Sequence, residues 1–170
     1  MPNLVKFEVQ TLPALVAVGR AVRVRMADEM DDPVQDLWAR CHGDGTLDEL
    51  AALDTWDPSH VGWMGDFDAR TSSFVYLAGV LLPEGADVPE GFDVRPVTAG
   101  QVAVGWVQGD ADELVPLAQD LTEQAMAQAD LVPDEDAGWA LELYNAPRFT
   151  EPGPDGEVIV DFYVPCKAAG

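Results

Sequence analysis

Val16-Ala17-Val18-Gly19 is matched later in the chain by Val102-Ala103-Val104-Gly105, and the surroundings of the two copies decide the fold. Around the first copy the chain reads as extended from Phe7 to Arg25. Val22-Arg23-Val24-Arg25 alternates strictly, as a half-exposed strand does. Asp31-Asp32-Pro33 then opens a helix with an acidic cap and Pro at the first helical position. Val34, Leu37, Trp38 and Cys41 give that helix one apolar stripe, and Gly43-Asp44-Gly45 stops it. Thr46 to Leu53 reads as a short second helix, capped by Thr46 with Glu49 at capping-box spacing. Two strands follow, Val61 to Phe67 and Phe74 to Leu82, and then a Pro/Gly-rich loop from Pro83 to Gly91.

Around the second copy the same order returns. Gln101 to Val107 reads as a strand and Asp110 to Ala129 as a helix, with Leu114, Leu117, Ala118, Leu121, Ala125 and Ala129 on one face. Pro116 suits that helix only within the first turn. Trp139 to Asn145 and Glu157 to Val164 are two more strands, joined by Glu151-Pro152-Gly153-Pro154-Asp155-Gly156. Gly62-Trp63 is echoed by Gly138-Trp139. The predicted fold is therefore α+β, a duplicated β-α-β-β unit with pseudo-two-fold symmetry. Its antiparallel sheets carry helices packed on them and a central ligand groove. The reading is of one domain over residues 1–170, built of halves at about 5–83 and 92–166. It expects the two Val-Ala-Val-Gly strands to superpose with their helices in register.

Composition narrows the function. Nine Lys and Arg against 31 Asp and Glu leave a net charge of −22. Nucleic acid and anionic membrane both require a positive surface, so neither is expected as a direct partner. The 48% apolar content is enough for a core, and no apolar run is long enough for a transmembrane helix. Lys6 and Glu8 interrupt the N-terminal stretch where a signal peptide would be apolar. Two cysteines are too few for a disulfide framework. These features predict a cytoplasmic protein. The acidic bias accompanies only two lysines, Lys6 and Lys167, and one isoleucine, Ile159, the mark of codon bias or salt adaptation.

Most chemistry-bearing patterns are missing. Cys41 and His42 are adjacent and diverge on a helix, while His60 and Cys166 stand at no ligand spacing, so neither metal nor cofactor is expected. Ser59-His60 has no nucleophile elbow around it. Gly43-Asp44-Gly45 carries an acid where a phosphate would sit. The informative stretch is Trp139-Ala140-Leu141-Glu142-Leu143-Tyr144-Asn145. Strand alternation turns Trp139, Leu141 and Leu143 to one face, read as the core under the second helix. Glu142 and Tyr144 turn to the other. A carboxylate beside an aromatic is ordinary on a wet face. In an apolar groove it becomes a desolvated anion with a raised pKa and a pull on cations. Five tryptophans sharpen the question: Trp38 lies on a helix stripe, and Trp106 follows Gly105, which leaves room for a close approach.

Several segments together resemble the GyrI-like small-molecule-binding domain, also known as the effector-binding domain of AraC-type and multidrug-sensing regulators. They are Thr11-Leu12-Pro13-Ala14, Leu37-Trp38, Phe74 to Val80, Val97 to Val104, Glu142-Leu143-Tyr144 and Val160 to Pro165. The resemblance implies a duplicated fold with a groove, where an acid on the penultimate strand attracts lipophilic cations. Glu142 matches that acid. Tyr144, Tyr76, Trp106, Trp38 and Phe162 are the candidate ligand contacts. Regulators of the family carry a DNA-binding segment before this domain. Here the resemblance starts near residue 6, which implies a stand-alone form with no DNA-binding domain. Its expected ligand is a lipophilic, aromatic, cationic small molecule, with a protein partner as a further role of the family. The alternative is a hydrolase of strained, cyclopropane-bearing electrophiles that uses Glu142 in the same groove.

Overall fold

The computed structural model describes residues 2–25 and 31–169, and only the backbone at 31, 32, 115 and 116. In chain order the elements are β1 (Asn3–Leu12), β2 (Leu15–Arg25), α1 (Asp31–Gly43), α2 (Thr46–Ala51), β3 (Asp57–Asp68), β4 (Ser73–Pro83), β5 (Asp93–Val97), β6 (Gly100–Gly109), α3 (Ala111–Gln128), β7 (Leu131–Pro133), β8 (Trp139–Tyr144) and β9 (Val158–Ala168). The architecture is α+β with antiparallel ladders, as expected. The β-α-β-β order occurs twice, as β2-α1-α2-β3-β4 and β6-α3-β7-β8-β9. The chain falls into two compact units, one spanning Pro13–Thr98, the other joining the segment up to Leu12 to the segment from Ala99 on. The extended stretch from Phe7 to Arg25 is thus two strands, broken at Pro13 and Ala14. β1 pairs with β6, whereas β2 pairs with β4 and β5.

In the Pro13–Thr98 unit the strand order is β3-β4-β2-β5. β4 is the apolar run Phe74 to Leu82, buried on both sides. Its even-numbered residues Phe74, Tyr76, Ala78, Val80 and Leu82 form a core with Val18 and Val24 of β2, Leu37 and Cys41 of α1, and Leu47 and Leu50 of α2. The predicted α1 stripe is therefore the one that packs. The capping of α1 by Asp31 and Asp32 lies outside the described side chains. Thr46 is not a cap: α2 has Gly45 in that place, and the Asp44 carboxylate accepts the Thr46 N–H at 2.9 Å. An aspartate two residues back competes successfully for the donor that a capping box would use.

In the other unit the order is β1-β6-β9-β8, with β7 also on β9. Phe7, Gly105, Phe162 and Glu142 lie directly across from one another on successive strands, so they share one face. A Cβ on Gly105 would come 2.3 Å from Thr122 Oγ1, so that face is the one under α3. One residue along, Lys6, Trp106, Asp161 and Leu143 share the opposite face. α3 buries Leu114, Ala118, Thr122 and Met126. Leu117, expected on that stripe, is 43% exposed. Thr122 takes a core position because its hydroxyl donates to the Ala118 carbonyl at 2.8 Å, so burial leaves no polar group unmet. Pro116 sits sixth in α3, past the first turn, where it brings no N–H to the helical ladder.

Two expectations about faces are corrected by these registers. Trp139, Leu141 and Leu143 are buried, but on the face opposite α3. The Val-Ala-Val-Gly copies also differ in facing. Val18 packs toward the helices of its unit while Gly19 points away, whereas Gly105 points toward α3. Gly19 answers a different demand: a Cβ there would lie 1.9 Å from the Ala78 carbonyl oxygen, because it and Gly79 bring two strands unusually close. The copies are not structural equivalents, although the order of elements is.

Candidate functional site

Glu142 sits in β8 with 3% of its surface exposed. Alternation carries Tyr144 to the same face, and the Tyr144 hydroxyl donates to Glu142 Oε1. Phe162 lies across from Glu142 on β9 and is fully buried. The sequence-predicted trio Glu142, Tyr144 and Phe162 is therefore brought together, and Phe149 joins it with its ring centroid 4.7 Å from that of Tyr144. The arrangement combines an acid, a hydrogen-bond donor tuned to it, and aromatic surface. A phenol donating to a carboxylate is a charge-assisted bond, stronger than a neutral one.

Trp106 does not join them. It stands on the other face, across from Asp161. Two cations lie over its ring: the Arg148 guanidinium is 4.0 Å from the centroid and Lys6 Nζ 4.4 Å. Arg148 also forks onto Asp161, Nε to Oδ1 at 3.2 Å and Nη2 to Oδ2 at 2.5 Å. Asp161 is a second buried acid that sequence reasoning passed over. An aspartate inside Val158-Ile159-Val160-Asp161-Phe162 is the signal that could have found it, since an acid in an apolar strand needs a buried partner.

Trp38 and Tyr76 are brought together within the Pro13–Thr98 unit. The Trp38 Nε1–H donates to the Tyr76 hydroxyl at 3.0 Å. The rings of His42 and His60 cluster with Trp38, their centroids 6.3 and 6.1 Å from it and 6.3 Å from each other. Burial, and then the neighbouring charge of His42, holds the His60 imidazole below its usual pKa. A cavity of about 180 Å³ in the same unit is lined by Arg20, Leu37, Arg40, Cys41, Asp44 and Asp93. None of the candidate residues lines it, and it is smaller than ordinary ligand pockets of about 300–1,000 Å³. The Cys41 thiol there is pushed up in pKa by burial, then by Asp44. Among the described residues no group of three or more His, Cys, Asp or Glu could hold a metal ion. No helix among them is long and apolar enough to cross a membrane.

Residues 6–167 match the GyrI-like small molecule binding domain. The chain belongs to the GyrI-like family. No protein of curated function matches it. Three solved structures illustrate the GyrI-like fold it shares. SAV2435 bound to tetraphenylphosphonium superposes with a TM-score of 0.74 at 17% identity, over 95% of this chain and 94% of that one. A protein of Staphylococcus aureus MU50 named for bacterial transcription regulation gives 0.70 at 17% identity, over 96% and 99%. A hydrolase encoded by lin2189 from Listeria innocua gives 0.50 at 15% identity, over 95% and 92%. At these identities the likeness is one of fold.

Proposed function

We propose that this GyrI-like protein binds lipophilic, aromatic cations in the cytoplasm, with Glu142 as the anionic anchor and Tyr144 and Phe162 as aromatic contacts beside it. The observation that supports this reading is the placement of Glu142: a carboxylate almost wholly buried in a strand, shared on one face with Phe162 and held by the Tyr144 hydroxyl. A buried carboxylate attracts a desolvated cation far more strongly than a surface acid does. The relative bound to tetraphenylphosphonium, a lipophilic aromatic cation, supports the ligand class. Trp38 and Tyr76 are proposed as further ligand contacts, to be tested by their own substitutions. Trp106 is left out, because its ring already faces Arg148 and Lys6 on the other side of the sheet.

Calorimetric titration with tetraphenylphosphonium tests the reading. Glu142→Gln keeps shape and removes charge. It is expected to weaken binding by about 1.5–3 kcal/mol, the coulombic worth of two unit charges roughly 6–10 Å apart at an effective dielectric constant of about 20, and to leave a neutral tetraphenyl analogue unaffected. Equal affinity of both proteins for the cation would remove Glu142 from recognition. A second reading, hydrolysis of strained cyclopropane-bearing electrophiles with Glu142 as general base on water, is supported by the same acid–phenol pair and by the fold shared with the Listeria innocua hydrolase. Multiple turnovers of such a compound, lost in Glu142→Gln, would favour it over simple binding.

A further inference from the structure

We propose that His42, His60 and Met64 form a site for a soft monovalent metal ion, copper(I), beside the ring of Trp38. The site lies within the Pro13–Thr98 unit. It uses none of Glu142, Tyr144 and Phe162, so it does not depend on the reading of Glu142 given above. Element periodicity assembles it. Trp38 and His42 stand four residues apart on α1, which puts them on one face of that helix. His60 and Met64 come from β3. Met64 lies across from Tyr76 of β4, and it packs with Trp38 against the core that Tyr76 and α1 share. The hydrogen bond from Trp38 Nε1–H to the Tyr76 hydroxyl fixes the indole over that face. Among the described residues neither imidazole has a hydrogen bond to protein, and no buried side-chain nitrogen lacks a partner. The imidazole nitrogens therefore meet solvent, where an ion can reach them.

The spacing of the rings selects the ion. The centroids of His42 and His60 are 6.3 Å apart. An ion about 2.0 Å from one nitrogen of each ring stands about 3.2 Å from each centroid. Two such rings span about 6.4 Å when their nitrogens oppose one another, and about 5 Å around a tetrahedral ion such as zinc. The observed separation is the opposed one, which copper(I) accepts and zinc does not. The centroids of Trp38, His42 and His60 form a nearly equilateral triangle of 6.3, 6.1 and 6.3 Å. An ion midway between the imidazoles is then about 5.3 Å from the Trp38 centroid, inside the reach of about 6 Å for a cation near an indole. The donors agree with the geometry. Imidazole and thioether are neutral, and thioether sulfur favours soft ions over zinc, magnesium or calcium. The causes that hold the His60 pKa down are burial and then His42, with no carboxylate among them. A lowered pKa keeps the imidazole in the neutral form that binds metal. The missing carboxylate leaves a hard dication without its usual ligand.

The chain has two histidines, so proton NMR reads the site without crowding. Copper(I), kept reduced with ascorbate under argon, is titrated into the whole protein. One equivalent is expected to move the ring C–H resonances of His42 and His60 together. Affinity is read by competition with bicinchoninate. His60→Asn and His42→Asn are each expected to lower it by more than the about 10–100-fold that loss of an outer-shell partner costs. His42 is exposed on α1, so His42→Asn carries the test if His60→Asn does not fold. Met64→Leu keeps apolar bulk. It should weaken copper(I) and leave the weaker binding of zinc(II) unchanged. The buried thiols of Cys41 and Cys166 are the rival soft ligands. Copper(I) bound with both histidine spectra unmoved would assign the ion to a thiol and overturn the proposal. Zinc(II) binding as tightly as copper(I), or no binding of copper(I) at all, overturns it as well.

Discussion

His60 stands on β3 with its ring 6.1 Å from that of Trp38 and 6.3 Å from that of His42. Its depressed pKa has a consequence for stability. The folded protein takes up the imidazole proton at a lower pH than the unfolded chain, which takes it up near the ordinary value, about 6.5. Below that value the unfolded state binds more protons, so stability falls as pH drops from about 6.5. Melting temperatures at pH 7.5 and 5.5 are expected to converge in His60→Asn relative to the unaltered protein, and an identical difference in both would mean that His60 is not the group responsible. At the same scale the two buried strand acids contrast. Asp161 meets a guanidinium and Glu142 a phenol.

At the scale of elements, Gly105 and Thr122 set how closely α3 approaches β6. A methyl at Gly105 would meet Thr122 Oγ1 at 2.3 Å and Leu4 Cδ1 at 3.0 Å. Gly105→Ala is expected to cost about 1–3 kcal/mol in urea denaturation, as overpacking does. Adding Thr122→Ala should return part of that loss, whereas simple additivity would mean the two do not share the contact. The order of elements was legible in the sequence because Val/Arg alternation, the α1 stripe and the Pro/Gly turns each have a local cause. Which face a helix would cover was not. Both faces of β8 are apolar enough to be buried, so alternation separates Leu141 from Glu142 without saying which lies under α3. β5 and β7 escaped notice because Asp93-Val94-Arg95-Pro96-Val97 and Leu131-Val132-Pro133 are short and contain proline, as peripheral strands can. In the candidate site, Glu142, Tyr144 and Phe162 follow from alternation and resemblance. Arg148 and Phe149 do not, since a loop's contacts with a strand leave no period in the sequence.

At the scale of the whole molecule the charge of −22 dominates the electrostatics. The ion pairs of Lys6 with Glu8, Arg70 with Asp68 and Arg95 with Asp66 lie at the surface, whereas that of Arg148 with Asp161 has a buried partner. The rest of the acid surface repels itself, and salt should relieve it. Raising sodium chloride from 0.01 M to 1 M shortens the screening length from about 30 Å to about 3 Å. The melting temperature is expected to climb across that range, and a flat profile would show that the carboxylates are spaced widely enough to ignore one another. The pairing of β1 with β6 has a consequence in time. A nascent chain leaves the ribosome with β1 first, yet its partner starts at Gly100 and that partner's other neighbour ends at Ala168. The Pro13–Thr98 unit can complete its own ladders in the interval, on the order of ten seconds at common rates of synthesis. During that wait Val5 and Val9 stand on an unpaired strand, with Lys6 and Glu8 as the charges that discourage other strands from taking it. Translation thus delivers the Trp38–Tyr76 pair early, and the acid at Glu142 only when the last strand has emerged.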